Sequence, residues 1–367
     1  MRPLSAVAVC FMLALGAGCP GPEDTGETGD VDTDTDSDSD SDSDSDTGEG
    51  PCRIDRAVFT RPDGSTQDVT SFLQSGEYLT LSVPGTLEVC PGTWFARLVL
   101  RADIDVVGLG DKPADTILSG GEQGTVIDVA GPNVTVTVRN VTLDRGAGLQ
   151  PEHNSGGGGV YCEQEGVVDI ADTVFTNGFA NDGAGLYARK CDVTLKDSIF
   201  RDNVSEDDGG AITLWDSTGT FTNITVTQNR SLDGGAMAIF NSTLTVRGSE
   251  FSDNIGTQFS AGIWLYDSNL TMIDSTLSGN DNQGADYGGG LLVQGEATLD
   301  NVSFTGNSAR RGGGIYVNYD AIVTGDGCDF SGNTNDDIFA ASTTGGRTHK
   351  GNSNTTIRCA DNACTVR

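Results

Sequence analysis

Positive charge is what this chain has least of. Against 53 aspartate and glutamate residues stand 21 lysines and arginines and 2 histidines, for a formal net charge of -32. Nucleic acid is gripped by clustered Lys and Arg, so this balance argues against nucleic acid as a partner. The two histidines, His153 and His349, lie far apart in glycine-rich or polar surroundings. Neither has a second ligand at a zinc spacing or a nucleophile nearby, so no metal centre or catalytic triad is anchored there. A sustained 3.6-residue apolar pattern is also missing, which removes a helical bundle. No glycine stretch opens a helix, so none is a phosphate cradle. The apolar run from Leu4 to Leu15 is too short to cross a bilayer comfortably.

What is present begins with that run. Behind Met1-Arg2 it has the n-region and h-region of a secretory signal over residues 1–18. It ends at Leu15-Gly-Ala-Gly-Cys19, with Pro20 next. This resembles a bacterial lipobox, although the aliphatic residue stands one place further upstream than usual. The resemblance implies lipidation of Cys19 and, without Asp at the following position, delivery to the outer membrane and the cell surface. Ordinary cleavage and secretion is the alternative. Residues 19–50 are Asp-Ser and Asp-Thr low complexity, too polar to collapse, and are expected to form a disordered, charge-extended tether. Its aspartates could collect Ca²⁺ weakly, but no glycine turn spaces them as a loop.

The second half repeats. An aromatic or aliphatic residue followed three later by Asn occurs at Phe200/Asn203, Val226/Asn229, Phe251/Asn254, Leu277/Asn280, Phe304/Asn307 and Phe330/Asn333. The step is roughly 25 to 27 residues, the range of solenoid repeats. Between successive units lie Gly209-Gly-Ala-Ile212, Gly234-Gly-Ala-Met237, Ala261-Gly-Ile263, Gly289-Gly-Leu291 and Gly313-Gly-Ile315, followed by period-two apolar runs. Alternation of this kind marks strands. One coil of strands cannot bury its apolar face alone, so coils must stack with equivalent side chains in ladders. The expected fold is all-β: a right-handed, single-stranded parallel β-helix over 77–340, with caps over 51–76 and 341–367.

The alignment assigns columns. Ile212, Met237, Ile263, Leu291 and Ile315 should face inward. Phe175, Phe200, Phe251, Phe304 and Phe330 should form an aromatic stack, and Leu195, Phe221, Leu244, Leu270 and Leu299 should face inward on a neighbouring sheet. The asparagines Asn203, Asn229, Asn254, Asn280, Asn307 and Asn333 are read as a structural amide ladder, Asn also tolerating left-handed backbone geometry. In the N-terminal cap, strand-like segments around Arg56–Arg61 and Gln67–Phe72 flank a Pro62-Asp63-Gly64 turn.

Export implies an oxidising compartment. Of nine cysteines, seven remain once Cys10 and Cys19 are set aside, so one thiol is unpaired. Cys328 is expected to be that one. It stands two before a buried position, where other units carry Thr173, Ser198, Ser249 and Ser275, and is read as an inert interior thiol. Cys359 with Cys364, Cys52 with Cys90, and Cys162 with Cys191 are proposed pairs, the first from its short spacing. Sequence does not fix the connectivity.

The paired Phe-x-x-Asn and Gly-Gly-Ala-Ile motifs resemble the repeats of the chlamydial polymorphic outer membrane proteins. More broadly, with Cys90-Pro-Gly-Thr93, Val107-Gly-Leu-Gly110 and Ile117-Leu-Ser-Gly-Gly121, the chain is similar to the pectin-lyase-like parallel β-helix superfamily, over roughly Tyr78 to Ala340. That resemblance implies the fold, and as an alternative function a carbohydrate-active enzyme: a lyase, epimerase or hydrolase. Pectate lyases carry clustered carboxylates for Ca²⁺. Here Asp182, Asp208 and Asp233 stand before successive glycine turns and are weak catalytic candidates. Asp before Gly is also ordinary turn chemistry, which is the preferred reading. No metal site and no cofactor is expected beyond this weak possibility of Ca²⁺.

One functional signal is left. Outward positions of the post-glycine strand offer Tyr187, Trp264 and Tyr316, and the next column Trp215, Phe240 and Tyr266. Rings on a flat sheet can stack on sugars or form the centre of a protein contact; the alternative is that a loop or the C-terminal segment covers them. The expectation is a non-enzymatic adhesion or recognition module that binds polysaccharide or a surface protein and acts as a monomer, with a purely structural envelope role as a further alternative.

Overall fold

The computed structural model describes residues 52, 55–148, 156–283, 287–341, 346–351, 354–360 and 363–367. The signal, Cys19 and the tether lie outside the described residues.

One coil shows how the sequence makes the fold. Leu186–Arg189 buries Leu186 and Ala188, Asp192–Lys196 buries Val193 and Leu195, and Ile199–Arg201 buries Phe200. Between these strands single residues take left-handed backbone: Lys190 (φ 56°), Asp197 (φ 47°) and Asp202 (φ 58°). Each turns the ribbon through a corner without breaking the stacking. The next coils repeat the device with Asp216, Asn223 and Gln228, then Asn241, Gly248 and Asp253. Asn, Asp and Gly reach this region at least cost.

Coils stack in parallel register for about nine turns. Ile212 pairs with Met237, Met237 with Ile263, Ile263 with Leu291, and Leu291 with Ile315. All five are fully buried. The chain is therefore a parallel β-helix with one continuous apolar interior.

Two columns differ in detail from the sequence alignment. Phe221 pairs with Val246, and Leu244 pairs with Gly219, so Leu195, Phe221, Val246, Met272 and Leu299 form one inward column. Leu244 and Leu270 belong to its neighbour. The glycine makes room: a Cβ on Gly219 would lie 2.6 Å from Leu244 Cδ1. The phenylalanine column is likewise interrupted by Val226 and Leu277. Direct ring stacking is confined to neighbouring coils, Phe175 on Phe200 at 4.1 Å and Phe304 on Phe330 at 5.1 Å.

The asparagines hydrogen-bond along the axis. Nδ2 of Asn203, Asn229, Asn254, Asn280 and Asn307 donates to Oδ1 of the next asparagine at 2.8–3.1 Å. The left-handed residue is not the asparagine but the one before it: Asp202, Gln228, Asp253, Gly279, Gly306 and Gly332. The amide braces a corner that its predecessor bends. Serines do the same elsewhere, Ser242 Oγ accepting from Ser217 N and Ser268 Oγ from Ser242 N, both at 2.9 Å.

At the N-terminal end Ala57–Thr60 and Thr66–Asp68 form a hairpin, and Ala57–Thr60 also pairs antiparallel with Gly85–Val89. The expected strand through Phe72 is instead a short helix, Thr70–Ser75, ended by Gly76 at φ 71°. Val69 and Leu73 are buried. A helical turn satisfies its own backbone while its apolar side chains meet the first coil, which a terminal strand could not do without leaving an open edge. At the other end Thr355–Ala360 pairs antiparallel with Ile322–Ser331, and Arg347–His349 with Ile338–Ala340.

Candidate functional site

The post-glycine strands carry the aromatic residues. Their outward column runs in register through Tyr187, Thr213, Ala238, Trp264, Leu292, Tyr316 and Phe339. Alternation predicts this column open to solvent, and the structure covers it. Tyr187, Phe240, Trp264 and Tyr316 are buried and Trp215 is half-buried, whereas Tyr266 remains 41 % exposed. The cover comes from the turn before the glycines. Phe259 folds back over the strand face and stacks on Trp264 at 4.8 Å. Tyr287 lies 5.9 Å from Phe259 and meets Tyr316 edge-on at 4.9 Å. Asn282 Nδ2 donates to the carbonyls of both Phe259 and Tyr287, tying the two turns together. The result is a second apolar cluster outside the barrel of strands. Burial pushes the Tyr316 hydroxyl up to about 12.

The cover is incomplete. It leaves a notch of about 200 Å³ between Phe259, Tyr287, Leu292, Gln294, Arg311, Tyr316, Asn318 and Tyr319. Tyr319 at its mouth is 51 % exposed. Gln294 accepts from Trp264 Nε1 at 2.6 Å, and the Arg311 guanidinium lies 5.3 Å from the Phe339 ring centre. Gln294 and Tyr319 also border a shallower trough of about 330 Å³ that takes in Asp267, Glu296 and Asp320.

The slot that holds Phe259 carries acids in earlier coils. Asp208 bridges to Asp233, and Asp233 Oδ1 accepts from Phe259 N at 3.0 Å. Asp182 Oδ1 accepts from Asp208 N at 3.3 Å and from Asn181 Nδ2 at 3.1 Å. Carboxylate oxygens of Asp182, Asp207 and Asp208 lie within 4.8 Å of one another. Burial, then repulsion from Asp182, Asp207 and Asp233, pushes Asp208 up to about 8. Burial also pushes Asp233 up to about 6 and raises Asp182. Two of the three column carboxylates thus accept main-chain N–H groups of the following coil and tie successive turns together. None of the three lines either cleft described above.

Comparison with known proteins shows what the coils are similar to. Residues 125–292 match the family described as the right handed beta helix region. Residues 301–318 match the Chlamydia polymorphic membrane protein repeat. The fold is a right-handed parallel β-helix. Among solved structures the chain is similar to PfbA, a surface adhesin of Streptococcus pneumoniae, at 10% identity, a TM-score of 0.28, and coverage of 81% of this chain and 91% of that one. None of the curated proteins compared matches.

The described cysteines pair as Cys52–Cys90, Cys162–Cys191 and Cys359–Cys364. Cys328 is a buried free thiol, and its Sγ lies 3.7 Å from Asp326 O, the same contact to the residue two before that Ser249 Oγ makes with Arg247 O. Burial pushes this thiol up to about 11.

Sequence reading did not find Phe259, Tyr287, Gln294, Arg311 or Tyr319 as members of a site. One signal was present: in the slot before the glycines, acids give way to Phe259, Tyr287 and Arg311 as the coils advance. That change marks where the strand face is roofed.

Proposed function

We propose that the chain is an exported, non-enzymatic recognition module, a β-helical rod held off the outer membrane by the acidic tether and a lipid on Cys19. Its partner is a polysaccharide or a surface protein, and it works as a monomer. The single observation that supports this reading is the aromatic cluster on one strand face, with Tyr266 and Tyr319 still exposed beside it. Aromatic rings with a polar rim are the composition of contact surfaces. The match of residues 301–318 to a repeat described from a membrane protein fits a surface role. The acidic column gives less support to the enzymatic alternative, since it stands outside both clefts and two of its three carboxylates bond main-chain N–H groups of the next coil.

The experiment is retention of the purified protein on whole cells and on immobilised polysaccharides, compared with a Tyr266→Ala/Tyr319→Ala double variant, with analysis of soluble products. Retention lost in the variant without any product supports recognition by this face. Undiminished retention moves the contact elsewhere, and released oligosaccharides would replace this reading with the enzymatic one.

A further inference from the structure

The notch beside Trp264 is built differently from the rest of the surface. Three tyrosine rings, those of Tyr287, Tyr316 and Tyr319, border it, with Leu292 at its base. Its volume of about 200 Å³ is below the roughly 300–1,000 Å³ of pockets that enclose a drug-sized ligand, which is room for a single ring rather than a whole ligand. Its polar border is amide and guanidinium. The Oε1 of Gln294 is taken by Trp264 Nε1, which leaves the Gln294 amide nitrogen as the donor on offer. The Arg311 guanidinium lies beside the Phe339 ring. Among the described residues no carboxylate borders the notch, yet the trough that continues from it past Gln294 and Tyr319 is bordered by Asp267, Glu296 and Asp320.

Aromatic faces take the C–H face of a ring, and amides exchange hydrogen bonds with hydroxyl or acetamido groups. A ligand running from the notch into the trough then meets three acidic side chains, which disfavours an anionic chain. We propose that the notch bordered by Tyr287, Tyr316 and Tyr319, with Gln294 and Asn318 on its polar side, is a subsite for one uncharged hexopyranose unit of a glycan. This rests on the recognition reading above and narrows it to a ligand class.

The test is calorimetric titration of the purified full chain with cellohexaose, fully N-acetylated chitohexaose and hexagalacturonate. At least one of the two neutral hexasaccharides should bind with a Kd of about 1 mM or tighter. Hexagalacturonate should bind at least about tenfold more weakly, and Tyr319→Ala and Gln294→Ala should each raise the Kd about tenfold. A thermal melt at the parent temperature establishes that each variant is folded. Binding that is unchanged in both variants overturns the subsite while leaving glycan recognition standing. Preference for hexagalacturonate overturns the ligand class. Failure of both neutral hexasaccharides to bind overturns the inference, and retention on cells then decides separately whether the recognition reading survives.

Discussion

Both the main-chain N–H and the Nδ2 of Asn229 donate to Asn254 Oδ1, each at 3.0 Å, so a single amide oxygen closes a corner of the preceding coil. Asn254 Nδ2 in turn donates to Val226 O and to Asn280 Oδ1, both at 2.9 Å. Asn254→Ala therefore strands the Asn229 N–H and weakens the support of Val226 O inside a fully buried wall. A buried group left without its partner costs about 1–3 kcal/mol. The variant should lose about 3 kcal/mol in denaturant unfolding and melt several degrees lower. A parent-like melting curve would remove the ladder as a stabilising element.

Gly219 faces Leu244 in the next coil, and an added Cβ would meet Leu244 Cδ1 at 2.6 Å. Its backbone is not left-handed, so only space is at issue. Gly219→Ala should destabilise by about 1–3 kcal/mol through overpacking. In a Leu244→Ala background the same change should cost much less, because the clash is gone and the pair becomes non-additive. Equal costs in both backgrounds, measured by denaturant titration, would show that these two slots are not stacked.

The acidic column predicts a pH dependence. An aspartate in an unfolded chain titrates near 3.9, whereas burial and neighbouring carboxylates push Asp208 up to about 8 and burial pushes Asp233 up to about 6. Between these values the folded state keeps a proton that the unfolded state has released. The contribution is present at pH below about 4 and is lost as pH rises through 6 and then 8. Asp208→Asn keeps the shape without the ionisation. Its melting temperature should exceed the parent's by about 2–4 °C at pH 9, the shift that about 1 kcal/mol gives in a chain of some hundreds of residues. Below about pH 4, where both states hold the proton, the two should melt alike. A difference that is the same at both pH values would assign the effect to something other than titration.

Cys328 should be silent to thiol reagents in the folded protein. It is fully buried and its thiol is pushed up to about 11, first by burial, while the thiolate is the reactive form. With iodoacetamide at pH 8, the peptide containing Cys328 should be unmodified in native protein and alkylated in guanidinium. Rapid native labelling would mean that the last coils open.

Much of this architecture can be read before any coordinates are seen, because the repeat states the same slot many times. Ile212, Met237 and Ile263 follow equivalent glycine pairs, so their register needs only counting. Cys328 declares its place by standing where Ser249 and Ser275 stand, and it makes the serine's contact. What escapes is whatever a one-coil pattern does not contain. Leu244 and Phe221 look equivalent as inward residues, and only the small Gly219 reveals that two columns run side by side. The helix at Thr70–Ser75 arises from the need to cover an end, which local alternation cannot express. What covers the aromatic face escapes for a related reason: alternation tells which side of a strand Trp264 leaves from, but not that Phe259, five residues earlier in a turn, folds back onto it.

That roof makes the last prediction. Trp264 is 9 % exposed and stacks on Phe259, whereas Trp215 stacks on Phe240 at 4.0 Å and Trp94 donates to Cys90 O at 2.9 Å in the first coils. Phe259→Ala removes the cover from Trp264 alone. Its emission should move to longer wavelength and become more accessible to acrylamide. The loss in stability should be about 1–3 kcal/mol, below the roughly 3–5 kcal/mol of a fully buried phenylalanine, because Phe259 is only half-buried. The same variant widens the notch at one wall, so its effects on fluorescence and on ligand binding should appear together. Unchanged emission and quenching in a folded Phe259→Ala protein would mean that Trp264 is already open to water, and the face would then be the bare aromatic sheet that strand alternation alone describes.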